Sequence, residues 1–285
     1  MPVYAFDPSL MLELMEAERA TLAAGVPTVL ISLLECPDVA TRDLSALRVV
    51  ISGAATVPVE LVRRIEETLG VDLLIMYGTT ECCPGVSAVR LDDSVTDKSE
   101  TIGRPLPQTE VKVADVATGE TAACGAVGEL CVRGYCVMTG YFDMPDQTAA
   151  AIDADGWYHT GDLASMDDRG FLRIAGRLKE MIIRGGENIY PREIEELLFE
   201  HPKVADVAVV GVPDAKWGEQ VAAFVRSAPG ELPTPEELSA YCRTNLAPHK
   251  TPHYWEFVDE FPLTASGKVQ KFVLRERFAA KHPHP

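Results

Sequence analysis

Basic residues are scarce in this chain. Lys and Arg number 26 against 43 Asp and Glu in 285 residues, a formal net charge of −17. A field of that sign repels phosphate backbones and anionic membranes, which argues against general nucleic-acid binding; two or three cations still suffice for a local nucleotide pocket. Long apolar runs are missing as well. The most apolar stretch, Ala20 to Leu34, contains Gly25 and Pro27 and is too short to span a bilayer. Acidic residues precede the first basic one, Arg19, so no secretory leader is expected. The seven cysteines form no Cys-x-x-Cys pair and no His/Cys cluster at zinc-like spacing. That scatter predicts reduced thiols, a cytoplasmic chain and no metal–thiolate centre. Internal repeats and low-complexity segments are also lacking.

What is present is a globular balance, 47% apolar and 24% charged, with length for two or three cores. Residues 6–35 read as helix, strand, helix, with Asp7 or Ser9 as cap and Leu10, Leu14 and Ala17 as the apolar face. Leu47–Ile51 and Val71–Met76 are short, mostly apolar runs that read as strands of the buried parallel kind, and a helix over Pro58–Leu69 separates them. Their ends, Ser52-Gly53 and Tyr77-Gly78, fall where doubly wound α/β sheets bind ligands. This half-sheet has no visible beginning, so Met1 is expected to fall inside a domain. From about Arg90 glycine, proline and threonine become frequent, and Glu110–Ala114, Gly128–Val132 and Gly170–Ile174 predict a small antiparallel, barrel-like unit. Beyond Arg177 the pattern is α+β: a helix from Ile189 with Pro191 near its first position, strands over Val204–Val212 and Gln220–Arg226, and a capping box at Thr234–Glu237. A strand over Tyr254–Val258 and a helix over Lys271–Ala280 close it. The fold class is therefore mixed: a partial doubly wound α/β layer (1–94), a small antiparallel β-barrel-like unit (95–176) and a C-terminal α+β module (177–285).

Several motifs carry chemistry. Tyr77-Gly78-Thr79-Thr80-Glu81 offers a flat ring, hydroxyls and a hard carboxylate at a strand end. Ser52-Gly53-Ala54-Ala55 is small enough for backbone to approach a ring. Thr160-Gly161-Asp162 reads as an exposed aspartate after a glycine turn; an Asx turn is the ordinary use of such a residue, and acceptance of two ribose hydroxyls is the functional one. Gly176-Arg177 follows, then Lys179, which by itself is a surface lysine beside Glu180. Arg184-Gly185-Gly186-Glu187-Asn188 lacks the spacing of a Walker loop. Trp217 is equally a half-buried core residue or a stacking platform. Lys268 follows a Ser-Gly turn in Pro262–Lys268, where a lone lysine is ordinarily a solvated charge.

Taken together, the stretch Tyr158–Glu195 and the runs around Tyr77 and Lys268 resemble the signatures of the adenylate-forming (AMP-binding) ligases. Over essentially the whole chain the similarity runs toward medium- and long-chain fatty acyl-CoA synthetases. The resemblance implies an ATP-dependent acid–thiol ligase forming an acyl-adenylate, with ATP/AMP, Mg²⁺ and coenzyme A as cofactors and a carboxylic (fatty) acid as substrate. It implies that Tyr77, Gly78, Gly53, Ala54 and Ala55 surround adenine, Thr80 contacts the α-phosphate and Glu81 holds the metal. Asp162 and Arg177 would hold the ribose and Lys179 would be a hinge. Gly185, Gly186, Glu187 and Trp217 would line the coenzyme A side, and Lys268 would bridge substrate carboxylate and α-phosphate. The family's Ser/Thr/Gly-rich phosphate loop, upstream of everything here, is missing. Adenylation by the chain alone should thus be impaired, and 1–90 should expose apolar strand edges. A separately encoded N-terminal half or a homo-oligomer is the expected partner. A carrier-protein acceptor, or a non-catalytic remnant that binds AMP or coenzyme A, is the alternative.

Overall fold

Apolar runs too short for helices, punctuated by helical periodicity, build the first sheet. The computed structural model describes residues 6–53, 57, 59–83, 85–263 and 269–282. They fall into two units, one ending at Ile174 and the other starting at Ala175.

In the first unit α1 (Pro8–Ala17), β1 (Leu22–Ala24), α2 (Pro27–Leu34), β2 (Val49–Gly53), α3 (Val59–Leu69) and β3 (Asp72–Tyr77) follow in order. β4 (Ser87–Ala88), α4 (Val95–Glu100) and β5 (Arg104–Pro105) complete a five-stranded sheet of order β1-β2-β3-β4-β5. Its first three strands are parallel and its last two antiparallel. Asp7 caps α1 by accepting from Leu10 N at 2.9 Å. The buried face of that helix is Leu12 and Met15, not the expected Leu10, Leu14 and Ala17, and Leu10 is 42% exposed. Both sets have helical spacing, and only the sheet beneath decides between them. α3 buries Leu61, Val62 and Ile65, each fully buried side chain of this size stabilising by about 1.5–3 kcal/mol. β1 is the outer strand, and Leu22 on it is half exposed.

The second sheet holds β6 (Thr109–Ala114), β7 (Gly128–Gly134), β8 (Tyr158–Met166) and β9 (Leu172–Arg177), in that order, with α5 (Pro145–Ala151) between β7 and β8. It is an open four-stranded sheet, not a closed barrel. The central strand β8 is where a glycine turn was expected. Its pairing with β7 slips: Glu129 faces Leu163 whereas Cys131 faces His159, so the short step on β7 matches a longer one on β8. Gly161, at φ +68°, sits in that β-bulge.

The second unit comprises β10 (Ile182–Arg184), β11 (Glu187–Ile189), α6 (Pro191–Phe199), β12 (Val204–Asp214), β13 (Gly218–Ser227), α7 (Pro235–Asn245), β14 (Tyr254–Phe257) and α8 (Lys271–Lys281). Its sheet runs β11-β10-β13-β12, with β14 pairing parallel to β13. Thr234 caps α7 through Glu237 N at 3.2 Å, as the capping box predicts.

Candidate functional site

The end of β3 converges with the bulge of β8. Tyr77 closes β3, and its hydroxyl donates to Asp162 Oδ2 at 2.5 Å. Asp162 is 4% exposed, so the expectation of an exposed aspartate is wrong. The Thr160-Gly161-Asp162 run is a bulge inside a central strand, not a surface turn, and the bulge carries its carboxylate inward. The backbone of that bulge is held at each step. Asp162 N donates to Thr160 Oγ1 at 3.0 Å, the Thr160 hydroxyl donates to Leu130 O at 2.7 Å, and Gly161 N donates to Glu129 Oε1 at 3.1 Å.

After Gly78 a 3₁₀ turn, Thr80–Cys82, carries Glu81 half-buried and leaves Thr80 exposed. Tyr141 donates its hydroxyl to Glu81 Oε1 at 3.0 Å, and Met138 N donates to the Glu81 carbonyl at 2.7 Å. Burial works to raise the Glu81 pKa, but its own backbone N–H and the Tyr141 hydroxyl outweigh it and hold the carboxyl below its ordinary range. Glu81 is therefore an ionised hard-oxygen donor at neutral pH. Cys82 beside it is fully buried and its thiol is pushed up to about 11, chiefly by burial, which disqualifies it as a nucleophile. Gly53 has a plainer explanation than ligand approach: a Cβ there would lie 2.3 Å from the Met76 carbonyl oxygen on β3.

Sequence spacing concealed a second group beneath the bulge. Glu129 Oε2 lies 2.8 Å from His159 Nδ1, the Cys131 thiol 3.6 Å from the same nitrogen, and His159 Nε2 3.5 Å from Asp153 Oδ2. One donor atom each of Glu129, Cys131 and His159 lies within 4.8 Å of the others, the kind of cluster that could hold a metal ion. Its chemistry favours hydrogen bonding instead. Burial pushes the Cys131 thiol up to about 12, and both Glu129 oxygens already face N–H groups. No motif signals the set, because Cys131 and His159 meet only as cross-strand partners.

In the second unit Arg177 ends β9 and Lys179 stands exposed on a 3₁₀ turn, Leu178–Glu180. Gly185 and Gly186, at φ +59° and +89°, make the two-residue turn between β10 and β11, the geometry of a type I′ hairpin. Gly185 N donates to Trp217 O at 2.8 Å, and a Cβ at Gly185 would lie 2.7 Å from the indole ring. Trp217 is 37% exposed, with the Arg184 guanidinium 4.6 Å and the Lys216 ammonium 4.8 Å from its ring centre. The glycine loop and the tryptophan thus form one cationic aromatic platform, with Glu187 exposed beside the turn. Lys216 did not stand out in the sequence, and Arg184 did so only as the first residue of the glycine loop. Ala54, Ala55 and Lys268 lie outside the described residues.

A three-strand parallel core, a strand-end Tyr-Gly-Thr-Thr-Glu run and a separate α+β unit are the architecture of adenylate-forming enzymes. The comparisons agree. Residues 1–142 match the model of the AMP-binding enzyme family, and residues 193–268 that of the AMP-binding enzyme C-terminal domain. The chain belongs to this family. It is 50% identical to the Bacillus subtilis protein YngI, described as an acyl-CoA synthetase, over 97% of this chain and 51% of YngI. It is 44% identical to the human mitochondrial medium-chain acyl-CoA ligase ACSF2, over 95% of this chain and 44% of ACSF2. The ATP-bound crystal structure of MatB from Rhodopseudomonas palustris superposes with a TM-score of 0.86 at 35% identity, over 97% of this chain and 54% of MatB. The chain spans about half the length of the curated relatives it matches. Among the described residues no helix is long and apolar enough to cross a membrane.

Proposed function

We propose that this chain carries the nucleotide-clamping and C-terminal portion of a fatty acyl-CoA ligase. The observation that carries the reading is the 2.5 Å Tyr77–Asp162 bond, which brings the strand-end aromatic of one sheet onto the bulge carboxylate of the next. In this reading the Tyr77 ring covers adenine, with Gly78, Gly53, Ala54 and Ala55 around it, and Asp162 and Arg177 take the ribose hydroxyls. Thr80 donates to the α-phosphate. Glu81, ionised and steadied by Tyr141, fits a hard cation and would hold Mg²⁺. That ion would neutralise phosphate charge when bound.

The substrate carboxylate attacks the α-phosphorus and expels pyrophosphate; the coenzyme A thiolate then attacks the acyl carbonyl and expels AMP. Lys268 offsets the charge that accumulates in the first step. The two steps need different groups in one pocket, so a pivot at Lys179 withdraws Lys268 and brings in Gly185, Gly186, Glu187 and Trp217. The cations Arg184 and Lys216 flanking Trp217 favour a phosphorylated nucleotide, hence coenzyme A, over a carrier protein as acceptor. A cytoplasmic location belongs to the same proposal.

Joined to the N-terminal half of YngI, the chain should release AMP from ATP only when fatty acid and coenzyme A are both present. Lys268→Ala should abolish that release. AMP release that Lys268→Ala leaves unchanged refutes the assignment. Release with a phosphopantetheinylated carrier but not with coenzyme A selects the carrier-loading alternative, and AMP binding without turnover selects the remnant.

A further inference from the structure

The carboxylate of Asp162 points where it does because of the bulge before it, and the bulge has one side-chain support that no motif explains. Gly161 sits at φ +68°, in the left-handed region, where its N–H has left the regular ladder with β7. That N–H goes to Glu129 Oε1 at 3.1 Å. The other oxygen, Oε2, lies 2.8 Å from His159 Nδ1. An ionised carboxylate only accepts, so Nδ1 carries the proton toward Glu129. His159 Nε2 in turn faces Asp153 Oδ2 at 3.5 Å. The Glu129 side chain is 15% exposed, so water competes poorly for either oxygen. Cys131 adds an uncharged thiol, since burial keeps its pKa near 12.

We propose that Glu129 is a positioning residue for the nucleotide clamp: braced by His159, it locks the Gly161 bulge so that Asp162 is presented to the vicinal hydroxyls of a ribonucleotide. Glu129 touches no ligand itself. It acts through two residues of backbone, and its contribution appears only for ligands that have ribose hydroxyls to offer. The inference rests on the reading of Asp162 as a ribose acceptor.

The test is calorimetric titration of the chain with AMP and with 2′,3′-dideoxy-AMP, which lacks both hydroxyls. The wild-type chain should prefer AMP. Glu129→Ala should lower AMP affinity about tenfold, as expected for a lost hydrogen bond to a charged group, and leave dideoxy-AMP affinity within about twofold. Glu129→Gln, whose amide oxygen can still accept from Gly161 N–H, should recover most of the preference. Amide exchange at Gly161 should quicken in the alanine variant. If Glu129→Ala does not fold, Glu129→Asp, one methylene too short to reach Gly161, should reproduce its loss. A folded Ala or Asp variant that keeps the wild-type AMP preference overturns the proposal, as does equal loss for both nucleotides, which would mark a merely structural role. A wild-type chain that binds neither nucleotide, or both equally, removes the clamp reading on which the proposal rests.

Discussion

Replacing Lys271 by methionine should loosen the second unit and leave the first one intact. Lys271 opens α8, three residues after Lys268, and its ammonium lies 2.7 Å from Glu195 Oε1 and 3.0 Å from Glu180 Oε2. Glu195 Oε1 also accepts from Val209 N at 2.7 Å, and Glu180 lies next to Lys179. One cation therefore ties the proposed pivot turn, α6 and α8 into one body. Burial works to lower the Lys271 pKa, but the two carboxylates outweigh it and hold it above its ordinary value of 10.5. The side chains of Lys271, Glu195 and Glu180 are 16%, 21% and 27% exposed. Removing one partner of a fully buried ion pair costs about 3–5 kcal/mol, and this partial exposure brings the expectation to about 2 kcal/mol. Methionine keeps the stem's packing, so the loss reports the charge. Urea denaturation followed by tryptophan fluorescence is the assay, since two of the three tryptophans, Trp217 and Trp255, lie in this unit. Adding Glu195→Gln, which keeps the acceptor for Val209 N and removes one of the two stranded charges, should recover part of the loss. The folded-state pKa is raised, so the stabilisation is present below about pH 10.5 and disappears as pH climbs through the folded value. The wild-type advantage over Lys271→Met should therefore shrink only on the alkaline side. A loss below about 0.5 kcal/mol, or no recovery in the double variant, would refute the reasoning.

Other expectations test other parts of the molecule. Tyr77→Phe keeps the ring but takes the donor from a buried carboxylate; thermal denaturation should show a loss of about 1.5–3 kcal/mol, and none if water replaces the hydroxyl. Gly185→Ala meets both a left-handed backbone, worth about 1–2 kcal/mol, and the Trp217 ring at 2.7 Å, so the indole must move. Fluorescence and near-ultraviolet circular dichroism should register that displacement. A thiol reagent at neutral pH should modify Cys83 and Cys124 quickly, while Cys36, Cys82, Cys131, Cys136 and Cys242, all buried, should react only on unfolding.

Where the fold was legible, the information was local. The mostly apolar runs over 47–51 and 71–76 are too short for helices and lead into the strands Val49–Gly53 and Asp72–Tyr77, and Thr234-Pro235-Glu236-Glu237 announces a helix start by its own chemistry. β8 was not legible, because glycine reports a left-handed backbone and nothing about where it lies. At Gly185-Gly186 that backbone is a hairpin turn on the surface; at Gly161 it is a bulge inside a central strand. The difference rests with the partner strand, where Glu129 waits to take the freed amide. The same holds for Asp162. Its identity as a lone acid after Thr-Gly could be singled out from sequence, whereas its burial could not, because burying a carboxylate requires partners that come from far along the chain: Tyr77 to receive from directly, Glu129 and His159 to hold the backbone that aims it. A solvated aspartate would need none of these. The residues proposed to meet a ligand are therefore the ones a motif records, and those that make the motif rigid come from distant parts of the chain, which explains why Glu129, Tyr141 and His159 emerged only from the folded chain.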